Sequence, residues 1–300
     1  MPVNKVVETV PKEYDEKKIR EFLKESLQMS TRFVRKAAID KRILVDGQKV
    51  KLDYVLKEGQ TIEIILDKKE TQDILPEKMD LEVVYEDDNI LVVNKPPFMV
   101  VHPTKSHPTG TLANGVIGYF REKGDDSIVR LVSRLDMNTS GLIIIAKNQF
   151  SHMALSRDMK EDTFKKIYLA IVHGHMAEES GTIDLPIYRP TEDAIKRIVD
   201  ERGQESITHY KVLETYDDAQ LLMLELETGR THQIRVHLSH LGCPIFGDTL
   251  YGTEDAEFIG RQALHAHKLE IPHPKDGKVI GFQCHMPEDM EELIKKLKKN

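Results

Sequence analysis

The stretch "VSRLDMNTSG", residues 132–141, sets a single carboxylate, Asp136, between an apolar run and a turn rich in Asn, Thr, Ser and Gly. "IVRLVSRL" leads into it and "GLIIIAKN" leads out. Both have the β-branched density of strands, so the turn joins two strands with an aspartate at its entrance. An isolated turn aspartate ordinarily accepts backbone N–H groups. Arg134 and Gly141 extend this one into R-L-D-x-x-T-S-G, a longer pattern than a turn requires.

Strand-like runs recur on both sides: "LEVVYEDD", "NILVVNKP", "KIYLAIVHG", "SITHYKVLETY", "AQLLMLELETG" and "HAHKLEIPHP". Helical spacing interrupts them at about 111–123, 149–160, 231–241 and 287–298. Short polar turns between neighbouring strands predict an α+β fold on a mixed, mainly antiparallel sheet, in preference to a doubly wound parallel one. Near the N-terminus, Ile19, Phe22, Leu23 and Leu27 mark one short helix. Ser30 is placed to cap a second, from Thr31 to about Asp40. "RILVDGQKV" and "YVLKEGQTIEII" follow with Asp46-Gly47 and Glu58-Gly59 turns, giving a compact ααβββ unit. The polar, aperiodic segment 67–80, with Pro76, reads as a linker, which divides the chain into domains 1–75 and 76–300.

The chain has 300 residues, 40% hydrophobic and 31% charged, enough to bury a substantial core. No apolar run reaches the length of a membrane span, and the first thirty residues are too charged for a signal peptide, so a cytoplasmic protein with no membrane partner is expected. Cys243 and Cys284 are far apart, without a C-x-x-C spacing, and read as buried small hydrophobes. His265, His267, His273 and His285 cluster near the end but fit no metal-ligand spacing, so no metal is expected. The net charge of −7 argues mildly against nucleic acid. Locally, though, Lys17 to Arg42 carries nine basic residues against three acids, an excess of six that suits phosphate.

The motif around Asp136 resembles that of the RluA-type pseudouridine synthases. Four further segments follow in that family's order: "LVVNKPPFMVVHP" (91–103), "KKIYLAIVHG" (165–174), "ETGRTHQIRVHLSHLGCPIFGDTLYG" (227–252) and "LHAHKLEIPHP" (264–274). Five ordered motifs covering about 81–290 are far more specific than any one of them. The basic N-terminal stretch "STRFVRKAAIDKRILVDGQKV" resembles an S4 RNA-binding domain, although Arg42-Ile43 stands where a glycine is usual. Two departures mark the catalytic part: Ser133 replaces the histidine usual before Arg-Leu-Asp, and Pro97-Phe98 replaces a Pro-x-Gly turn.

The resemblance implies isomerisation of uridine to pseudouridine in a structured RNA, ribosomal in preference to transfer RNA, by a monomer. The reaction moves one base from its N1 to its C5 linkage and so needs no cofactor. It implies Asp136 as the carboxylate acting at the sugar, Arg230 as the cation paired with it, and Tyr168 as the ring that stacks on the freed base. Leu135 would pack behind the base and Arg134 would hold a phosphate or displace the target nucleotide. His232 and Arg235 have subsidiary places, and Arg32, Arg35, Lys36, Lys41 and Arg42 would form the S4-like RNA surface. The alternative is a non-catalytic RNA-binding or ribosome-assembly protein on the same fold, favoured only by Ser133.

Overall fold

The computed structural model describes residues 5–66 and 72–299. The N-terminal unit contains β1 (Lys5–Thr9), α1 (Ile19–Glu25), α2 (Thr31–Ile39), β2 (Ile43–Val45), β3 (Gln48–Lys49) and β4 (Thr61–Ile65). Its four strands lie in the antiparallel order β1-β4-β2-β3. The ααβββ expectation therefore lacked β1, whose exposed, partly polar "KVVET" pairs with the edge of β4. Ser30 caps α2 as expected, its hydroxyl accepting from the Phe33 N–H at 3.2 Å. Ile19, Phe22, Phe33, Val34, Ile62 and Ile64 fill the small core between helices and sheet.

The larger sheet contains β5 (Glu82–Glu86), β6 (Ile90–Lys95), β7 (Arg130–Leu131), β8 (Ser140–Ala146), β9 (Lys165–His173), β10 (Ser180–Asp184), β13 (Ile207–Thr215), β14 (Ala219–Leu226), β15 (Leu264–Pro272) and β16 (Val279–Gln283). A separate small hairpin pairs β11 (Ile187–Tyr188) with β12 (Ile198–Val199). The main order is β10-β13-β14-β9-β15-β8-β6-β5, with β16 on β15 and β7 on β8. The pairings are antiparallel except that of β15 with β8, which is parallel. The mixed, mainly antiparallel expectation thus matches the sheet.

"SGLIIIA" forms β8, buried at all seven positions. A continuous apolar strand is required where both faces of a sheet are covered. Ile143 and Ile145 pack on one side with Val116 and Phe120 of α3 (Leu112–Glu122), and Leu142 and Ile144 on the other with Leu155 of α4 (Gln149–Asp158). A third cluster joins β9 and β14 to α5 (Gln233–His240) and α6 (Glu288–Leu297). The strand expected from "IVRLVSRL" is shorter than its composition suggests: only Arg130–Leu131 pairs, and the rest bends towards Asp136. Leu66 belongs to the N-terminal core and Ile74 to the second, while residues 67–71 of the expected linker lie outside the described residues.

Phe98 occupies the turn position where the related motif has glycine, and it takes glycine's conformation, with φ of 62°. Pro97 supplies the fixed φ of the preceding residue, as a type II turn prefers. The ring is 58% exposed, so little packing compensates for the left-handed backbone. Phe98→Gly is expected to raise unfolding free energy by about 0.5–1 kcal/mol in chemical denaturation. An unchanged or lower midpoint would show that the ring contributes more than its exposure suggests.

Candidate active site

Asp136 sits in the loop that enters β8, where its carbonyl accepts the Thr139 N–H at 3.1 Å and closes a tight turn. Gly141 follows with φ of 110°, and a Cβ built there would lie 2.3 Å from the Ala266 carbonyl oxygen. Only glycine lets β15 approach the loop so closely. Two buried cations hold the loop by its carbonyls. Lys95, fully buried at the end of β6, donates to the carbonyls of Pro96, Met99 and Met137 at 2.8, 3.0 and 3.0 Å. Arg261 donates to the Asn138 carbonyl at 3.1 Å while its Nε and Nη2 pair with Asp289 at 2.6 and 2.8 Å. Burial, and then the charge of Arg261, pull the Lys95 ammonium down to about 7, with Asp136 opposing.

Arg235, in the first turn of α5, connects two carboxylates. Its Nη1 donates to Asp136 Oδ2 at 2.8 Å, and its Nε and Nη2 donate to the two oxygens of Asp248 at 2.7 and 2.8 Å. The guanidinium also lies 5.1 Å from the centre of the Tyr251 ring. Burial opposes its charge, but the hydrogen bonds and charge of Asp248, followed by those of Asp136, hold the guanidinium above its ordinary pKa. His232, just before α5, has its Nε2 3.8 Å from Asp136 Oδ2. The Arg197 N–H donates to the Tyr251 hydroxyl at 2.8 Å. The phenolic proton is then free for His232 Nδ1, 2.9 Å away. Burial pushes the His232 pKa down, which favours the neutral ring.

Asp136 opens into a cavity of about 740 Å³, within the usual size for small-molecule sites. Leu135, Val101, Val132, Met159, Leu226 and Leu264 supply apolar walls; Arg134, Lys166, Tyr168, Arg230, His232 and Arg235 supply the polar ones. Tyr168 enters from β9, half-buried. Burial, and secondarily the charge of Asp136, raise its pKa, so the hydroxyl stays protonated at neutral pH.

The structure gathers Asp136, Tyr168, Arg134, Leu135, Arg230, His232 and Arg235 around this one cavity. The expected pairing of Arg230 with Asp136 is not what forms. Arg230 lies in the exposed turn before α5 and its Nε donates to the Glu205 carbonyl at 3.0 Å. Arg235, one turn further on and inside the helix, takes the place beside Asp136. Arg42 is a second correction. It is 7% exposed, donates to the Ile65 carbonyl at 2.9 Å and lies over Phe33, so it braces the small core and cannot serve as an RNA-facing cation. Arg32, Arg35, Lys36 and Lys41 remain exposed. The sequence had not singled out Lys95, Asp248, Tyr251 or Arg261, although the N-K-P and G-D-T-L-Y-G segments contain three of them. His265 bonds Ser140 Oγ at 3.0 Å and Cys284 Sγ at 3.2 Å inside the core, and both cysteines are buried.

Comparison with known proteins bears on the same residues. The RNA pseudouridylate synthase family profile matches residues 89–240, a span that includes Asp136, Tyr168 and Arg235. YjbO of Bacillus subtilis strain 168, described as an uncharacterized RNA pseudouridine synthase, is 43% identical over 252 residues, covering 84% of this chain and 89% of its own. Ribosomal large subunit pseudouridine synthase D of Xanthomonas campestris pv. campestris is 37% identical over 272 residues, covering 86% and 81%. Among solved structures, human RNA pseudouridylate synthase domain containing 1 superposes with a TM-score of 0.56 at 28% identity, covering 74% of this chain and 96% of that one.

Proposed function

Because the chain belongs to the RNA pseudouridine synthase family, we propose that it isomerises a uridine of ribosomal RNA at Asp136, with Arg235 as the partner cation. The observation that carries the assignment is the Asp136–Arg235 contact of 2.8 Å at the floor of a cavity able to hold a nucleoside. Cleavage of the bond from C1′ to N1 calls for a carboxylate at the sugar, as nucleophile at C1′ or base at C2′. Arg235 orients that carboxylate through the 2.8 Å contact and supplies its counter-charge, while Lys95 and Arg261 fix the loop it stands on.

Tyr168 faces the freed uracil. Its ring stacks, and its hydroxyl, whose protonated form burial favours, donates or relays a proton. Leu135 packs behind the base, and Arg134 at the exposed rim holds the strand from which the uridine is flipped. No atom is gained or lost between uridine and pseudouridine, so the reaction balances without a cofactor. Among the described residues no helix is long and apolar enough to cross a membrane. A ribosomal substrate places the protein in the cytoplasm, and we read it as a monomer of two domains, 1–75 and 76–300.

The assignment is tested by mapping pseudouridine in ribosomal RNA from a strain lacking the gene. Specific sites should vanish, return with the wild-type gene and stay absent with Asp136→Asn. A profile unchanged by deletion, together with inactivity of purified protein on large-subunit RNA, removes the ribosomal assignment.

The N-terminal unit recruits RNA through α2, whose Arg32, Arg35 and Lys36 are exposed on one helix. Replacing all three by Gln should weaken RNA binding and flatten its log–log salt dependence by roughly two units, at about 0.7 for each phosphate no longer neutralised. An unchanged slope in fluorescence anisotropy would show that RNA approaches from elsewhere.

A further inference from the structure

Lys166 and Tyr168 are two residues apart on β9, so their side chains leave the same face of the strand, and both line the cavity. Lys166 is only 7% exposed. Its Nζ lies 5.8 Å from the centre of the Phe164 ring, and among the described residues no carboxylate reaches it. Other buried ammonium groups of this protein are differently provided for. Lys95 has its three carbonyls, and Lys147, with a side chain 10% exposed, has Glu86 and Asp125 at 2.9 Å each. Burial alone sets the direction in which the Lys166 pKa moves, which is down, and no acid opposes it.

An ammonium largely withdrawn from water at the wall of an open cavity, with no carboxylate beside it, marks a place that an anion completes. Gly229 adjoins the place: a Cβ built there would stand 3.7 Å from Lys166 Nζ, in ordinary contact with it. Next to it, exposed Arg230 lines the same rim, and Arg235, the cation nearest Asp136, is already committed to two carboxylates. The anion that RNA offers is its phosphodiester.

We propose that Lys166, with Arg230 at the rim beside it, forms a phosphate subsite that holds the phosphodiester adjoining the flipped uridine. The inference rests on the uridine-binding reading of this cavity. It gives Arg230 a place in the site that pairing with Asp136 does not, and it positions the ribose between a fixed phosphate and the Asp136 carboxylate.

The test is independent of turnover. Uridine and uridine 3′,5′-bisphosphate, which carries both phosphates that flank a nucleotide in RNA, are titrated into the full-length wild type and into Lys166→Met and Lys166→Arg. The wild type should prefer the bisphosphate by roughly tenfold or more, as charge-assisted hydrogen bonds provide. Lys166→Met should lose most of that preference while keeping its affinity for uridine, and Lys166→Arg should retain it. Equal weakening of both ligands by Lys166→Met would mean that the lysine contacts the base, and a wild type without preference for the bisphosphate overturns the subsite. Failure of the ribosomal assignment would instead appear in the mapping experiment, with the ligand preference intact.

Discussion

Asp136→Asn should bind RNA as the wild type does and lose isomerisation by roughly 10³-fold or more, the scale on which a positioned acid–base or nucleophilic group acts. The amide nearly matches the carboxylate in size and can still meet Arg235 with its oxygen, so the loop held by Lys95 and Arg261 keeps its shape. What disappears is the negative charge that attacks or deprotonates the sugar. Single-turnover assays on large-subunit RNA, paired with anisotropy measurements of affinity, separate the two effects. Turnover within a few-fold of wild type would move the chemistry to another residue, whereas a parallel loss of affinity would show that the substitution had disturbed the site as a whole.

Arg235→Met should be the most damaging single change in the cavity. Asp248 has a side chain 1% exposed and Asp136 one of 30%, and both depend on the same guanidinium. Removing one partner from a buried ion pair costs about 3–5 kcal/mol, because the remaining charge stays buried without compensation. Arg235→Lys gives the cleaner readout. A point charge cannot bond both oxygens of Asp248 and also reach Asp136, so folding survives with a lower midpoint while kcat falls by roughly 10². Arg230→Lys, in contrast, should leave kcat within a few-fold. If the two variants exchange these behaviours, the carboxylate pairs with Arg230 during catalysis and the Asp136–Arg235 pair is not the operating one.

The contrast between those two arginines shows where the sequence stops being readable. Apolar runs such as "LIIIA" and "YLAIV" announce their strands because burial on both faces demands unbroken hydrophobicity. β10 escaped notice because it is an edge strand, mostly exposed, whose "SGTID" has the polar composition of a loop. Asp136 was legible from R-L-D-x-x-T-S-G, but its partner was not. Spacing along the chain places both Arg230 and Arg235 near the start of α5 and does not reveal that the first lies in an outward turn while the second faces the loop. Arg42 failed for the same reason: a basic residue in a basic segment looks solvent-facing until the hairpin folds over it. Lys166 was hidden by the tyrosine two positions away, since the strand signal that both share says nothing about what each meets across the cavity.

The sheet order also ties the two halves of the site to a late segment of the chain. Asp136 belongs to the half built from β5, β6 and β8, all complete by residue 146; Tyr168 belongs to the half begun by β9, and Arg235 to the helix that packs on it. The strand that lies between β8 and β9 is β15, which starts only at Leu264. Two half-sheets are therefore joined by a strand drawn from late in the chain, which meets β8 at the pairs His265–Ser140 and Ala266–Gly141. A fragment that ended short of β15 would carry Asp136 and Tyr168 on two half-sheets without the strand that sets their spacing.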